Sequence, residues 1–258
     1  MIPNLIFIIP YRNREEHRKK FETHIKDYLE YIKEDNYKIF FVCQNDNRSF
    51  NRGAMKNFGF LYVRHLFPND YKNITLVFHD VDTLPTKESN ITYKATHGTV
   101  SHFYGKRVAL GGIFSIKAGD FEKIKGFPNF WFWGFEDNII QERCKNTKLK
   151  CNRDVYYDIK ENYDANFKYI IRLDQTDSPI KVISQVEINR CFIHDTDTFE
   201  DLKNVDTYVD GNNIIINYFD CGFDYNESKK GEQKVNLFNS DIIHADPRYF
   251  RRSWGLSL

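Results

Sequence analysis

Three absences narrow the field before any motif is considered. No run of eighteen or so apolar residues exists, so no helical membrane span is expected. There is no excess charge: 37 basic against 36 acidic residues leave a net charge of +1. No global field therefore selects nucleic acid or an anionic membrane, and neither is expected as a partner. The five cysteines are an odd number and none falls in CxxC spacing, which argues against a disulfide framework or structural zinc and for a reducing compartment. The N-terminal MIPNLIFIIP has neither a basic leader nor a small-residue cleavage site, and it reads as a first strand, not a signal peptide. A soluble cytoplasmic protein, bacterial or viral, is the expectation. No internal repeat or low-complexity linker divides the chain. What is present is 258 residues, 41% hydrophobic and 16% aromatic, enough for one large α/β domain with a sizeable core.

The first half alternates strand and helix signals. Leu5 to Ile9 is a continuous apolar run ended by Pro10, followed by a helix carrying Phe21, Ile25, Tyr28, Leu29 and Ile32 at helical spacing. Lys38 to Cys43 is a second strand, and Ala54 to His65 a second helix with Met55, Phe58, Leu61 and Tyr62 on one face. This order predicts parallel, right-handed crossovers, with ligands beyond the carboxyl ends of the strands. Arg12 and Arg14 then project into that crevice, where guanidinium forks suit a diphosphate; surface pairing with Glu15 and Glu16 is the alternative. Phe50 could stack on a base and Arg52 could reach a phosphate, or both could simply start a helix. Thr75 to His79 is a third strand, ending in Asp80-Val81-Asp82. Alternation sends Asp80 and Asp82 to one side and Val81 to the other, and a strand-end carboxylate pair suits a divalent cation on phosphates.

Lys87 to Arg107 reads as polar and irregular, a possible substrate loop. Val108 to Ile116 reads as a strand around Gly111-Gly112, and Ala118 to Lys125 as a short helix. The segment Phe130 to Ile140, FWFWGFEDNII, then places Trp131 and Trp133 before the turn Gly134-Phe135, the acids Glu136 and Asp137, and a helix from Asn138 to Lys145. Indole faces suit sugar rings, and a carboxylate opening a helix can be aimed into a cleft to take a proton. A buried aromatic turn with an acidic cap reads the same way. Val155 to Ile159 could be a strand, Glu161 to Ser178 reads as surface, and Asp210-Gly211 signals a hairpin before the strand Ile214 to Phe219.

Taken in order, Pro10-Tyr11-Arg12-Asn13-Arg14-Glu15-Glu16-His17, Phe50-Asn51-Arg52, Asp80-Val81-Asp82, Gly111-Gly112 with Gly126-Phe127-Pro128-Asn129, and Trp131 to Asp137 resemble the β-1,4-galactosyltransferases of glycosyltransferase family 7. Cys191-Phe192-Ile193-His194 and Asp210-Gly211 resemble that family's closing motifs. The resemblance spans about residues 5 to 220. It implies a GT-A fold with a mostly parallel central sheet flanked by helices. It also implies a nucleotide-binding half at about 1–85, an acceptor and catalytic half at about 86–220, and an extension at 221–258. The implied activity is a metal-dependent inverting transfer of galactose or N-acetylgalactosamine from a UDP-sugar to a glycan hydroxyl, of the EC 2.4.1 kind, with Mn²⁺. By the same resemblance, Pro10, Tyr11, Arg12, Arg14, Phe50, Asn51, Arg52, Asp80 and Val81 hold the donor. Trp133 and Gly134 touch donor and acceptor, and Phe135 and Asn138 face the acceptor. Glu136 positions the sugars, Asp137 is the base, and Asp82, His194 and Cys191 bind metal.

The chain departs from the family at several of these positions. Cys191 stands where relatives carry methionine or histidine, and Mn²⁺ prefers harder ligands than a thiolate. Phe132 and Phe135 replace glycines, Asn138 replaces an aspartate, and Ala109 stands where galactose-specific relatives place a tyrosine. A small residue at 109 leaves room for a larger C2 substituent, so UDP-GalNAc is expected as a donor. Two other readings fit fewer features: a nucleotide-sugar or glycan binder without turnover, and a phosphohydrolase using Asp80 and Asp82.

Overall fold

Strand β1 (Leu5–Tyr11) is buried along its whole length, which is why its sequence is apolar without alternation. In the computed structural model, which describes residues 1–173, 180–182, 198–230 and 233–235, β1 lies inside a nine-stranded sheet. Its parallel neighbours are β2 (Tyr37–Gln44), with Leu5 beside Tyr37, and β3 (Thr75–His79), with Leu5 beside Thr75. Successive side chains on a strand point to opposite faces, so β1 feeds two cores. Leu5, Phe7 and Ile9 pack with Phe21, Ile25, Tyr28 and Leu29 of α1 (Glu15–Tyr31); Ile6 and Ile8 pack with Ala54, Met55, Phe58, Phe60 and Val63 of α2 (Arg52–Leu66). The predicted crossovers are therefore present. Because β2 and β3 flank β1 on opposite sides, the chain reverses its direction across the sheet at β1, and the loops after β1 and β3 meet at one edge.

Pro10 does not stop β1, which runs on to Tyr11 with Pro10 beside Val42. The ladder to β3 ends at Ile8 and Phe78, so Pro10 is flanked by β2 alone and its missing N–H leaves no second neighbour unsatisfied.

The remaining strands extend the same sheet. β6 (Ile113–Lys117) is antiparallel to β3, and β5 (Thr99–Gly105) is antiparallel to β6. β7 (Lys150–Asn152) and β8 (Tyr157–Asp158) both run parallel to β5. On the other side, the hairpin of β11 (Lys203–Asp210) and β12 (Asn213–Asp220) sets β12 parallel to β2. The order is β11-β12-β2-β1-β3-β6-β5-β7, with β8 also on β5. Two small ladders stand apart, β4 (Thr83–Pro85) with β9 (Ile170–Arg172), and β10 (Ile180–Val182) with β13 (Gln233–Val235).

Several local expectations are corrected. Lys87 to Arg107 is not an irregular loop throughout: it contains the buried strand β5, whose His102 is 0% exposed. Its polarity is absorbed internally, since His102 Nε2 donates to the carbonyls of Tyr104 and Gly111 while Nδ1 accepts from Arg153 Nε. The strand expected at Val108 to Ile116 begins only at Ile113; Lys106 to Leu110 form a turn closed by Ala109 N on Lys106 O. Glu161 to Ser178 is not simply surface: α5 (Ile159–Asp164) and β9 bury Asn162 and Ile170. The helix after the tryptophans, α4, is Glu136–Asn146, and the helix after β6, α3, is Ala118–Lys123. Past the hairpin, Phe223 is buried and Tyr225, at the start of α6 (Tyr225–Lys230), packs on Trp131, so the chain just after 220 is continuous with the core.

Candidate active site

The site forms where the loops after β1 and β3 meet the N-termini of α2 and α4. After β3 the chain turns at once: Asp80 O accepts from Thr83 N (3.3 Å) and Thr83 Oγ1 (2.9 Å). Val81 goes into the core at 7% exposed, and Asp80 and Asp82 stay partly exposed, which is the division the sequence predicted. Behind them His79 is wholly buried against Phe7, Phe21 and Tyr93, and burial lowers its pKa to about 4.

Helix α2 is fixed at its start by Asn51. Its side chain accepts from Ala54 N (2.9 Å) and donates to Asn129 O (2.9 Å), while its N–H donates to Gln44 Oε1 (2.8 Å). The cap therefore ties α2 to the end of β2 and to the segment leading into the tryptophans. Gly53 makes the contact possible: a Cβ there would stand 2.0 Å from Pro128 O. One turn further, Asn57 Nδ2 donates to Phe127 O (2.8 Å) and Asn129 Oδ1 (2.9 Å), and its Oδ1 accepts from Phe127 N (2.9 Å).

Two cations on α2, four residues apart, meet the carboxylates. Arg52 Nη2 reaches Asp80 Oδ1 at 2.6 Å and Nη1 reaches Glu136 Oε1 at 3.2 Å. Lys56, whose side chain is 2% exposed, places Nζ 3.0 Å from Asp137 Oδ1. Arg52 thus joins the acid at the end of β3 to the acid opening α4. Burial alone would make its guanidinium easier to deprotonate, but the charges of Asp80, Glu136, Asp137 and Asp82 together outweigh that and hold it protonated. For Asp80, burial raises the carboxyl and the attraction of Arg52, Lys56 and His79 overcomes it, leaving the group below its usual range. Asp82 and Glu136 go the other way. Burial raises both, and each is raised further by a neighbouring acid, Asp80 for Asp82 and Asp137 for Glu136.

The acidic turn is held from both sides. Phe132 (φ 75°) and Phe135 (φ 63°) adopt the left-handed conformation natural to the glycines they replace. Gly134 N donates to Glu136 Oε2 (3.1 Å), and Leu110 N donates to Asp137 O (2.8 Å). Gly111 lies against the Asp137 carboxylate so closely that a Cβ would stand 2.4 Å from Oδ2.

The other expected residues divide into three groups. Arg14 approaches Asp82 at 3.8 Å, and its N–H meets Tyr11 Oη at 3.3 Å. Arg12 instead donates to the carbonyls of Arg48 and Asp46, so part of its guanidinium braces the 46–48 loop. Glu136 is only 4% exposed and acts as a strut between Arg52 and Gly134, and Asn138 donates to Val108 O, pinning the 106–110 turn to α4. Trp131 is not a sugar platform: it is 1% exposed, stacks on Phe219 and donates to Phe223 O, leaving Trp133 as the half-exposed indole. Cys191 and His194 lie outside the described residues. Among the described residues no cluster of three or more His, Cys, Asp or Glu forms a metal cage; Asp82 offers one hard carboxylate donor, and the like charge of Asp80 beside it favours a cation there.

Sequence reasoning missed Lys56, Tyr104 and Arg172. Spacing could have found Lys56, which falls one turn after Arg52 and opposite two adjacent acids. Arg172 arrives through the β4–β9 ladder, beside Thr83, with Leu173 N on Asp82 O (2.8 Å); nothing local in the sequence announces that pairing. Among the described residues Tyr104 Oη and Arg172 Nε, both buried, meet no hydrogen-bond partner, and both groups act electrostatically on or with Asp82.

Two family models cover residues 3–95, the N-terminal region of glycosyl transferase group 7, and residues 95–165, the N-terminal domain of galactosyltransferase. Human beta-1,4-galactosyltransferase 4 is 29% identical over 161 residues, and human beta-1,4-galactosyltransferase 5 is 31% identical over 157. Those matches take in 59% and 57% of this chain, but only 45% and 39% of the relatives, so the chain matches less than half of their length. Among solved structures, Drosophila beta-1,4-galactosyltransferase 7, in a complex with manganese, UDP-Gal and xylobiose, superposes with a TM-score of 0.61 at 21% identity, covering 88% of this chain and 98% of that one. The ordered motifs, the contiguous family matches and this superposition agree: the chain belongs to glycosyltransferase family 7 and has the GT-A fold.

Proposed function

We propose that the protein is an inverting glycosyltransferase that moves galactose or N-acetylgalactosamine from a UDP-sugar to a glycan hydroxyl. The observation that carries this reading is the Arg52 bridge, which joins Asp80 at the end of β3 to Glu136 in the acidic turn. The acceptor oxygen attacks the anomeric carbon, the bond from that carbon to the diphosphate breaks, and UDP leaves with the electron pair. Asp137 takes the hydroxyl proton, and opposite faces for attack and departure invert the anomeric centre. Arg14 and Arg52 lie on the donor side as cations for the diphosphate, with Pro10, Tyr11, Phe50, Asn51, Asp80 and Val81 around the nucleotide. Trp133, Gly134, Phe135 and Asn138 form the acceptor side. Asp82 would hold a divalent cation, whose charge offsets that of the leaving diphosphate. A bound manganese in the Drosophila neighbour, with UDP-Gal and xylobiose, supports this assignment.

Ala109, half-buried in the turn that bonds to Asp137 through Leu110, motivates the N-acetylgalactosamine option. The test is UDP release from UDP-galactose and UDP-GalNAc with Mn²⁺ and a mixed glycan panel. Asp137→Asn should lower turnover by about 10²–10⁴-fold, the usual worth of a general base. Unchanged turnover in that variant would remove Asp137 as the base, and transfer from UDP-galactose but never from UDP-GalNAc would remove the second donor.

A further inference from the structure

Lys56 is an unusual residue to find at the centre of a helix packed on a sheet. Its side chain is 2% exposed, its Nζ lies 4.2 Å from the centroid of the Phe127 ring, and its carboxylate partner is Asp137 Oδ1 at 3.0 Å. A buried ammonium is costly unless paired, so the fold retains this group only in company with that carboxylate. Asp137 is held at three points: its Oδ1 by Lys56, its backbone carbonyl by Leu110 N, and its Oδ2 by close approach to Gly111. Among the described residues no hydrogen bond reaches Oδ2.

We propose that Lys56 is a positioning residue for proton transfer: it holds the Asp137 carboxylate turned so that Oδ2, not Oδ1, meets the acceptor hydroxyl. This rests on Asp137 as the base. The charge balance explains why a second cation is needed. Asp80 and Glu136 both lean on Arg52, and Glu136 sits beside Asp137 as a like charge. Among the described residues Lys56 is the cation in direct contact with the Asp137 carboxylate. Among the described residues, the charged groups acting on the acidic pair are Arg52 and Lys56 from α2, with Asp80 and Asp82 reached through Arg52, and uncharged Leu110 and Gly111 lie against Asp137.

The experiment compares wild type, Lys56→Met, Lys56→Arg and Asp137→Asn by UDP release from UDP-galactose with Mn²⁺, with water or a mixed glycan panel as acceptor. Met keeps the buried stem and removes the charge. In Lys56→Met, kcat should fall about 10- to 100-fold, the cost of a misplaced reacting group, with KM for UDP-galactose little changed. The acidic limb of the rate profile should move to higher pH, because the Lys56 charge that lowers the neighbouring Glu136 is gone. Lys56→Arg should recover part of both effects. If Lys56→Met does not fold, Lys56→Gln, which keeps a donor without charge, is read in its place. Wild-type kcat and an unmoved limb in the neutral variants, with Asp137→Asn inactive, would overturn the role of Lys56 and leave the base standing. Full turnover in Asp137→Asn, or no UDP release from the wild type, would overturn both.

Discussion

The Asp137 carboxylate rests on the bare Cα of Gly111, with no room for a methyl group between them. Gly111→Ala should therefore push the carboxylate aside and lower turnover by about 10²-fold, as displacement of a reacting group by about an ångström does. The thermal midpoint should barely move, so a loss of activity that tracked a loss of folding would refute this account. Tyr104 makes the opposite case: among the described residues its buried hydroxyl has no hydrogen-bond partner, and burial raises it to about 12. Removing an unsatisfied buried hydroxyl is neutral or stabilising, so Tyr104→Phe should unfold at the same urea concentration or higher; a loss above about 1 kcal/mol would show that the hydroxyl has a partner. Some of these residues were legible in the sequence and others were not, for physical reasons. Asp82 and Asp137 follow apolar or aromatic runs that fix where the chain ends up, and Arg52 opens a helix whose apolar face is periodic. Lys56 was hidden because a lysine in a helix ordinarily reads as solvated. Trp131 stayed ambiguous because an indole's chemistry does not reveal which side of a turn it faces, and here it faces Phe219.

Helix α2 is the element that carries the most of the site. Its face toward β1 packs the core, its first turn is capped by Asn51, and the side chains of Arg52, Lys56 and Asn57 point to the segment from Phe127 to Asp137. Asn57→Ala would leave the Phe127 amide and the Asn129 side chain without these bonds. It should cost about 3 kcal/mol, measurable as a lower urea midpoint, since buried groups left unsatisfied cost about 1–3 kcal/mol each. Equal stability would mean that water or a rearrangement replaces the network. At this scale the apolar elements β1, α1, β2, α2 and β3 could be read because burial leaves a periodic trace. β5 could not: TVSHFYG is strand-like only once Arg153 and two carbonyls have satisfied His102, and those partners come from other parts of the chain. The short ladder of β4 with β9 was invisible for the same reason, being defined by pairing of residues as far apart in sequence as Thr83 and Arg172.

At the scale of the whole molecule, two buried histidines make stability depend on pH. Burial lowers both His79 and His102 to about 4, so each is neutral when folded but binds a proton near 6.5 when unfolded. The unfolded chain then holds more protons between those values, and stability present above pH 6.5 is lost as pH falls toward 4, by on the order of 3 kcal/mol for each histidine. Asp82 and Glu136, raised in the fold, oppose this at the acidic end, so the decline should be clearest between about pH 5.5 and 7 in urea titrations. A flat profile across that window would show that neither ring is buried uncharged. The sheet carries a last consequence. Residues on either side of position 85 contribute neighbouring strands, β3 against β6, and the late strand β12 returns to β2. A chain severed there would bare two ragged, sticky borders, and neither piece should persist alone; made together, they should find each other and reassemble, as a torn ticket matches only its own stub.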